Sequence, residues 1–256
     1  LVGGEAKYYP CLFDHEFIPQ VADLEAIVDE NTVAILYNFP SNPTGGTLNE
    51  QQRDELLAFA QKHDLWIISD EVYDRIVFKD DHVSFMGTGY QKLMVVNSFS
   101  KTFAMTGWRI GYIVSTNLEA MKQVIKIQYY IAACSNDAMQ YAVLEAMEKA
   151  DDYPDIMAAE FEKRCNLIVD RLNAMPGVEC HRPKGAIYVF PKVDVPGMSS
   201  EEVAMELLKD GVLCSPGSAF GPSGEGHLRF AYTISQEDIV RGMDKVEATL
   251  KRLQQA

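Results

Sequence analysis

Positive charge is scarce in this chain of 256 residues: 23 Lys and Arg stand against 37 Asp and Glu, a formal net charge of −14. A surface of that sign repels polyanions and no Lys/Arg cluster relieves it, so general nucleic-acid or anionic-membrane binding is excluded. Long apolar runs are missing too, and none approaches the ~18 residues that a membrane span needs. The opening stretch LVGGEAKYYP has no basic segment followed by an apolar one, so no secretory leader is expected. Only five cysteines occur, Cys11, Cys134, Cys165, Cys180 and Cys214, scattered and never as C-x-x-C. Reduced thiols are therefore expected rather than zinc sites or disulfides, and the protein reads as cytoplasmic. The five histidines are dispersed, none at metal-ligand spacing, so no metal is expected. Repeats and low-complexity tracts are absent. What is present, 47% hydrophobic and 23% charged residues, suffices for a real core and excludes disorder.

From Thr32 to about Ser115 four β-branched runs, TVAILYNFP, LWIISDEVY, LMVVNSFSK and RIGYIVS, alternate with polar or helix-like stretches. Each run is apolar nearly throughout, the pattern of strands covered on both faces in an α/β sheet. Between the first two, Thr47 and Glu50 form a T-x-x-E capping box ahead of Leu56, Leu57, Phe59 and Ala60. Strand, helix, strand in that order implies a right-handed parallel crossover. A mainly helical stretch follows, from about Leu118 to Lys149. Phe161, Cys165, Ile168, Leu172 and Met175 then recur at spacings of 4, 3, 4 and 3, which predicts an amphipathic helix from about Asp155 to Ala174, stopped by Pro176-Gly177. Short strands (VECH, AIYVF, HLRFAY) next mix with two helices whose apolar stripes are Val203 with Leu207, and Ile239, Met243, Val246 and Leu250. The change of texture predicts part of a mostly parallel-sheet α/β domain over residues 1–150 and a smaller α+β domain over residues 151–256.

The sharpest segment is VVNSFSKTFAMTGWRIGY, residues 95–112. Lys101 directly after a strand, with Arg109 eight residues on, puts two cations between buried strands, where cations need partners. Asp70 and Glu71 close an almost wholly apolar strand, with Tyr73 just beyond. Asn42 stands just past the end of TVAILYNFP, ahead of Pro43-Thr44-Gly45-Gly46. Ligands of open α/β sheets bind outside the carboxyl ends of the strands. Three strand ends offering Asn, Asp with Tyr, and Lys with Arg therefore point to a ligand site. Simpler roles compete: a plain loop at Asn42, a turn cap for Asp70, ordinary core for Tyr73, an ion-paired edge residue for Arg229. Glu71 and Trp108 read as structural neighbours.

The segments SNPTGG, SDEVY, SFSKTFAMTGWRIGY and HLRFAY resemble, in order and spacing, those of class I/II pyridoxal-phosphate aminotransferases of fold type I. The resemblance spans the whole chain, is most specific at S-x-S-K followed by G-W-R-x-G-Y, and is closest to the aspartate, aromatic and alanine group. It implies ping-pong transfer of an amino group between an L-amino acid and a 2-oxo acid. Lys101 is implied to form the aldimine with pyridoxal 5′-phosphate, which takes an amine that can be neutral near physiological pH, and to carry the proton between substrate Cα and cofactor C4′. Asp70 is implied to keep the pyridine nitrogen protonated, and Tyr73 and Asn42 to donate hydrogen bonds to O3′. Arg109 and Ser98, with Ser100, would hold the phosphate, and Arg229 the substrate α-carboxylate through its planar fork, beside Asn42. The tract SPGSAFG, Ser215 to Gly221, resembles the family's small-domain loop that shapes the substrate pocket, though a simple turn explains it as well.

Complete members of that family carry more chain ahead of the part matched here: an N-terminal arm, a long helix, a helix N-terminus that cradles the phosphate, and an aromatic stacked on the pyridine ring. None is found in this sequence, so the chain resembles an N-terminally truncated member, with Leu1 inside the large domain. Part of the phosphate site, of the side-chain specificity and of the homodimer contacts would lie in that segment. Two other readings share the same residues. Fold-type-I lyases and synthases use the residue types at Lys101, Asp70, Tyr73 and Arg109. An aminotransferase-like sensor domain of a transcription regulator is the other, although this acidic chain carries no basic recognition helix.

Overall fold

A computed structural model of the chain describes residues 3–79 and 81–255, so the expectation attached to Leu1 lies outside the described residues. In chain order the elements are α1 (Val21–Ile27), β1 (Ala34–Asn38), α2 (Glu50–Lys62), β2 (Trp66–Asp70), β3 (Leu93–Ser98), α3 (Phe99–Thr102), β4 (Gly111–Val114), α4 (Leu118–Ala132), α5 (Asp137–Lys149) and α6 (Tyr153–Asn173). There follow β5 (Val178–Glu179), β6 (Tyr188–Val189), β7 (Lys192–Val193), α7 (Ser200–Lys209), β8 (Ser215–Pro216), β9 (Leu228–Ala231) and α8 (Gln236–Gln254). They form two compact units: Asp29–Pro40 with Thr47–Ala158, and Leu1–Val28 with Ser41–Gly46 and Ala159–Ala256.

The division is drawn differently from a single cut near residue 150, because the early segment packs on late residues. Phe13 stacks on His181 at 3.9 Å, and the Gly45 carbonyl accepts from the amides of Lys184 and Gly185, both at 3.1 Å. Gly45 has φ +69, and a Cβ there would meet the Pro183 Cβ at 2.5 Å, so only glycine fits.

The 29–158 unit is α/β. Its sheet has the order β1-β2-β3-β4, with β1, β2 and β3 parallel and β4 antiparallel to β3. All four apolar runs form its strands, and α2 links β1 to the parallel β2 as expected. The capping box, however, is two residues along: Asn49 caps α2, accepting from the Gln52 amide at 2.8 Å while its own amide donates to the Gln52 side chain at 2.9 Å. Asn is among the strongest N-caps, and a start at Glu50 turns Leu56, Phe59 and Ala60 into the core. Burial corrects a second expectation, since β1, β2 and β3 alternate buried with more open positions and β4 is exposed throughout. One face carries the core, where Tyr37 stacks on Phe85 at 5.3 Å. Helix α4 buries none of its residues and presents Ile125, Tyr129, Tyr130 and Ile131 to the exterior.

The other unit is α+β, with β5 antiparallel to β7 and a sheet of order β6-β9-β8, also antiparallel. Ile168 and Leu172 of α6, Leu207 of α7, Phe230 of β9 and Val246 and Leu250 of α8 fill its core, as the spacings require. Leu172 is wholly buried. Leu172→Ala is expected to lower unfolding free energy by about 2–5 kcal/mol, read from denaturant unfolding, through lost transfer energy plus a residual cavity.

An aromatic cluster adds a pH dependence. His227 is buried, stacks on Phe190 at 5.0 Å, and keeps its Nε2 without a hydrogen-bond partner. Burial holds its pKa below the usual 6.5. The unfolded chain takes the proton near pH 6.5 while the folded one waits for a lower pH, so stability is full above that value and falls as pH drops below it. Unfolding midpoints at pH 7.5 and 5.5 check this: His227→Gln should narrow the gap between them. No described helix is long and apolar enough to cross a membrane.

Candidate functional site

The 29–158 unit gathers six of the eight candidate residues. Asp70 is the last residue of β2, in register with Asn38 on one side and Val96 on the other. Its carboxylate accepts from the Val72 amide at 3.3 Å, so it does cap the turn that follows. Burial lifts its pKa above the usual carboxylate range, the Val72 amide pulls it back, and the Glu71 charge adds to the rise. Among the described residues no cation pairs with it. A desolvated carboxylate in that condition favours a cationic partner.

Lys101 sits in the short α3 that begins where β3 ends, and its Nζ lies 5.6 Å from the centre of the buried Tyr73 ring. Among the described residues it too has no hydrogen-bond or ion-pair partner. Ser98 caps α3: its hydroxyl accepts from the Ser100 amide and donates to the Ile110 carbonyl, both at 3.1 Å. Ser100 is buried. Arg109 is exposed, adopts φ 56, and donates to the Thr106 carbonyl at 3.0 Å. No described carboxylate pairs with it. Gly111 faces Ser98 across the β3–β4 pair, and a Cβ there would meet the Asn97 carbonyl oxygen at 2.6 Å, which accounts for glycine in the RIGY segment.

The remaining two candidates lie together in the other unit. Arg229 of β9 donates from Nη1 to the Asn42 side chain at 2.9 Å and from Nη2 to the Ser215 hydroxyl at 3.0 Å. Its guanidinium lies 4.6 Å from the Tyr188 ring and 4.9 Å from the Phe220 ring. Its Nε is buried without a hydrogen-bond partner, and no described carboxylate pairs with the group, so the ion-paired edge residue is not what the structure contains. Stacking of this kind holds a planar fork in one orientation. The tract Ser215 to Gly221 supplies β8 and the ring of Phe220, so it is more than a turn.

Asn42 corrects an expectation. Strand β1 stops at Asn38, because Pro40 has no amide to continue the ladder, and Asn42 belongs to the turn beyond. The asparagine beside Asp70 is Asn38, whose side-chain amide donates to the Asp70 carbonyl at 3.2 Å. Sequence reasoning missed Tyr188 and Phe220 as the rings that hold Arg229, because only the folded chain brings them to it.

Glu71 is structural, as expected, and more deeply so than its spacing suggests. It is buried; Ser69 Oγ donates to Oε1 at 2.8 Å, the Phe85 amide donates to Oε1 at 3.2 Å, and His82 Nε2 lies 2.8 Å from Oε2. Burial would raise its pKa, but hydrogen bonds from His82, Ser84 and Ser69 outweigh that and hold it below the usual range. Nearby, Asp74 accepts from the Asn97 side chain at 2.8 Å. Trp108 is exposed and is not core. No group of three or more His, Cys, Asp or Glu among the described residues could hold a metal ion.

Known proteins are similar to this chain in sequence and fold. A sequence model described as aminotransferase class I and II matches residues 1–246. Aromatic-amino-acid aminotransferase 2 of Thermococcus litoralis is 37% identical over 257 residues, covering 98% of this chain and 66% of that protein. Aspartate aminotransferase of Pyrococcus abyssi shows the same identity and coverage. The solved aromatic aminotransferase of Pyrococcus horikoshii superposes with a TM-score of 0.93 at 36% identity, over 98% of this chain and 68% of that one. This chain thus spans about two thirds of the length of the curated relatives it matches.

Proposed function

The chain belongs to the class I and II aminotransferase family, and on that premise we propose that the protein transfers an amino group between an L-amino acid and a 2-oxo acid in a ping-pong cycle. The family's cofactor is pyridoxal 5′-phosphate. The observation that carries the reading is the pair at the carboxyl ends of β2 and β3: a primary amine with no described partner, Lys101, and a desolvated carboxylate with no described cation, Asp70.

That donor set fits the cofactor. Within the 29–158 unit Lys101 would hold it covalently through Nζ, Asp70 would face the ring nitrogen, Tyr73 would donate to the phenolic oxygen, and Arg109, Ser98 and Ser100 would take the phosphate. When bound, the cofactor supplies an electron sink for negative charge on the substrate Cα. Asp70 would favour a proton on the ring nitrogen, because burial makes its carboxylate costly to leave unpaired. The Lys101 amine would take the proton from the substrate Cα and return it at the cofactor C4′. Arg229, oriented by Tyr188 and Phe220, binds the α-carboxylate, and its unpartnered Nε supports that role.

The unit of Asp29–Pro40 with Thr47–Ala158 is read as the cofactor-binding domain and the one holding Ala159–Ala256 as the small domain; the clustering of Lys101, Asp70, Tyr73 and Arg109 in the former supports this. A second copy of the chain is the proposed partner, supported by the apolar exterior of α4. Five free cysteines support a cytoplasmic location, and the net charge argues against nucleic acid as a partner.

Titration of the protein with pyridoxal phosphate tests the reading by absorbance. A near-visible band is expected in the unaltered protein and absent in Lys101→Ala, and glutamate should bleach it stoichiometrically. A band that survives in Lys101→Ala, or one that glutamate leaves unchanged, would sink the proposal.

A further inference from the structure

Asp70 has little of its own to hold its carboxylate in place. Its one described side-chain contact is the Val72 amide at 3.3 Å. The next residue is held from every side. The Glu71 amide donates to the Val96 carbonyl of β3 at 2.9 Å, and the Glu71 carbonyl accepts from the Asp74 amide at 3.0 Å. Its buried carboxylate takes the Ser69 hydroxyl from within β2, and the Phe85 amide and His82 ring from the loop that follows. Glu71 thus ties the end of β2 to β3, to the 71–76 turn and to residues 82–85. Tyr73 lies inside the same turn, its carbonyl accepting from the Ile76 amide at 2.8 Å.

We propose that Glu71, clamped by Ser69, His82 and Phe85, is a positioning residue that sets the place of Asp70 and Tyr73 toward the cofactor. The assignment rests on the cofactor reading above. A buried carboxylate is costly unless every oxygen is satisfied, and apolar residues would fill the same space more cheaply. Here both oxygens are engaged, and the residue gripped lies directly between Asp70 and the turn that carries Tyr73. Glu71 touches neither cofactor nor substrate. It acts through the backbone it fixes.

Glu71→Gln keeps the volume and part of the hydrogen bonding, and Glu71→Asp keeps the charge but shortens the reach. Two readouts apply. In the cofactor-free protein, amide exchange over residues 70–76 should quicken in Glu71→Gln by about tenfold, the worth of one lost charged hydrogen bond, while α2 stays protected. In the pyridoxal phosphate titration, the dissociation constant should rise by about tenfold and the near-visible band should shift, with Glu71→Asp intermediate. His82→Gln should move both readouts in the same direction, and it decides the matter by the same measures if Glu71→Gln fails to fold. Should the unaltered protein form no Lys101-dependent band, the cofactor reading falls and this role with it. Should that band form and Glu71→Gln match it in affinity, position and exchange, the positioning role alone is overturned.

Discussion

Lys101→Ala is expected to slow amino transfer by on the order of 10²–10⁴-fold from the loss of proton transfer alone, before any loss of covalent attachment is counted. The expectation comes from its isolation. Among the described residues no carboxylate pairs with the Lys101 amine, which lies 5.6 Å from the centre of the Tyr73 ring. A primary amine is a suitable proton acceptor where a guanidinium is not. Lys101→Arg separates charge from basicity, since a guanidinium keeps the charge and cannot give up its proton. It should be as impaired as the alanine variant. Single-turnover absorbance with glutamate on the cofactor-loaded protein reads the half-reaction directly. Near-full turnover in either variant would assign the proton transfer to another group.

The second large effect is expected at Arg229. Its guanidinium is held by Asn42 and Ser215 and stacked against Tyr188 and Phe220, yet its Nε has no hydrogen-bond partner. Removing the fork with Arg229→Leu should cost about 2–5 kcal/mol of transition-state binding, which is roughly 30- to 5000-fold in kcat/KM. Arg229→Lys restores charge without the planar pair of donors and should recover only a part. The loss should be confined to substrates that carry an α-carboxylate; an amine lacking that group should react equally poorly with all three proteins. Equal losses on both kinds of substrate would show that Arg229 supports the fold of β9 and does not bind the carboxylate.

The strand ends that carry Asp70 and Lys101 were legible in order along the chain. Lys101 and Asp70 stand at the ends of apolar runs, and apolar runs of that length in alternation with a helix become parallel strands whose carboxyl ends meet. The α6 stripe was legible for the same kind of reason, because a 3.6-residue repeat dictates which side chains share a face. The start of α2 was misjudged by two positions, since Thr47 and Asn49 both satisfy local capping chemistry and only the packing of Leu56 and Phe59 separates them.

Asn42 and Glu71 belong to the part that a linear reading could not reach. Asn42 was placed at a strand end by its neighbours in sequence, but Pro40 stops β1 early and the chain carries Asn42 to Arg229, 187 residues away. Glu71 reads as a charged neighbour of Asp70 until the loop bearing His82 and Phe85 folds over it. The burial of the strands was misread for a related reason: apolar composition states what a strand can bury, and the elements packed around it decide which face is covered. Local periodicity and strand-end chemistry are properties of short stretches, so residue order alone settled the α/β class and marked the strand ends that carry Asp70 and Lys101. The partners of Arg229, the clamp on Glu71 and the joining of residues 1–28 to the C-terminal unit were decided by tertiary structure. Each depends on segments distant in sequence meeting at hydrogen-bond range, where burial and geometry choose among partners that the sequence offers equally.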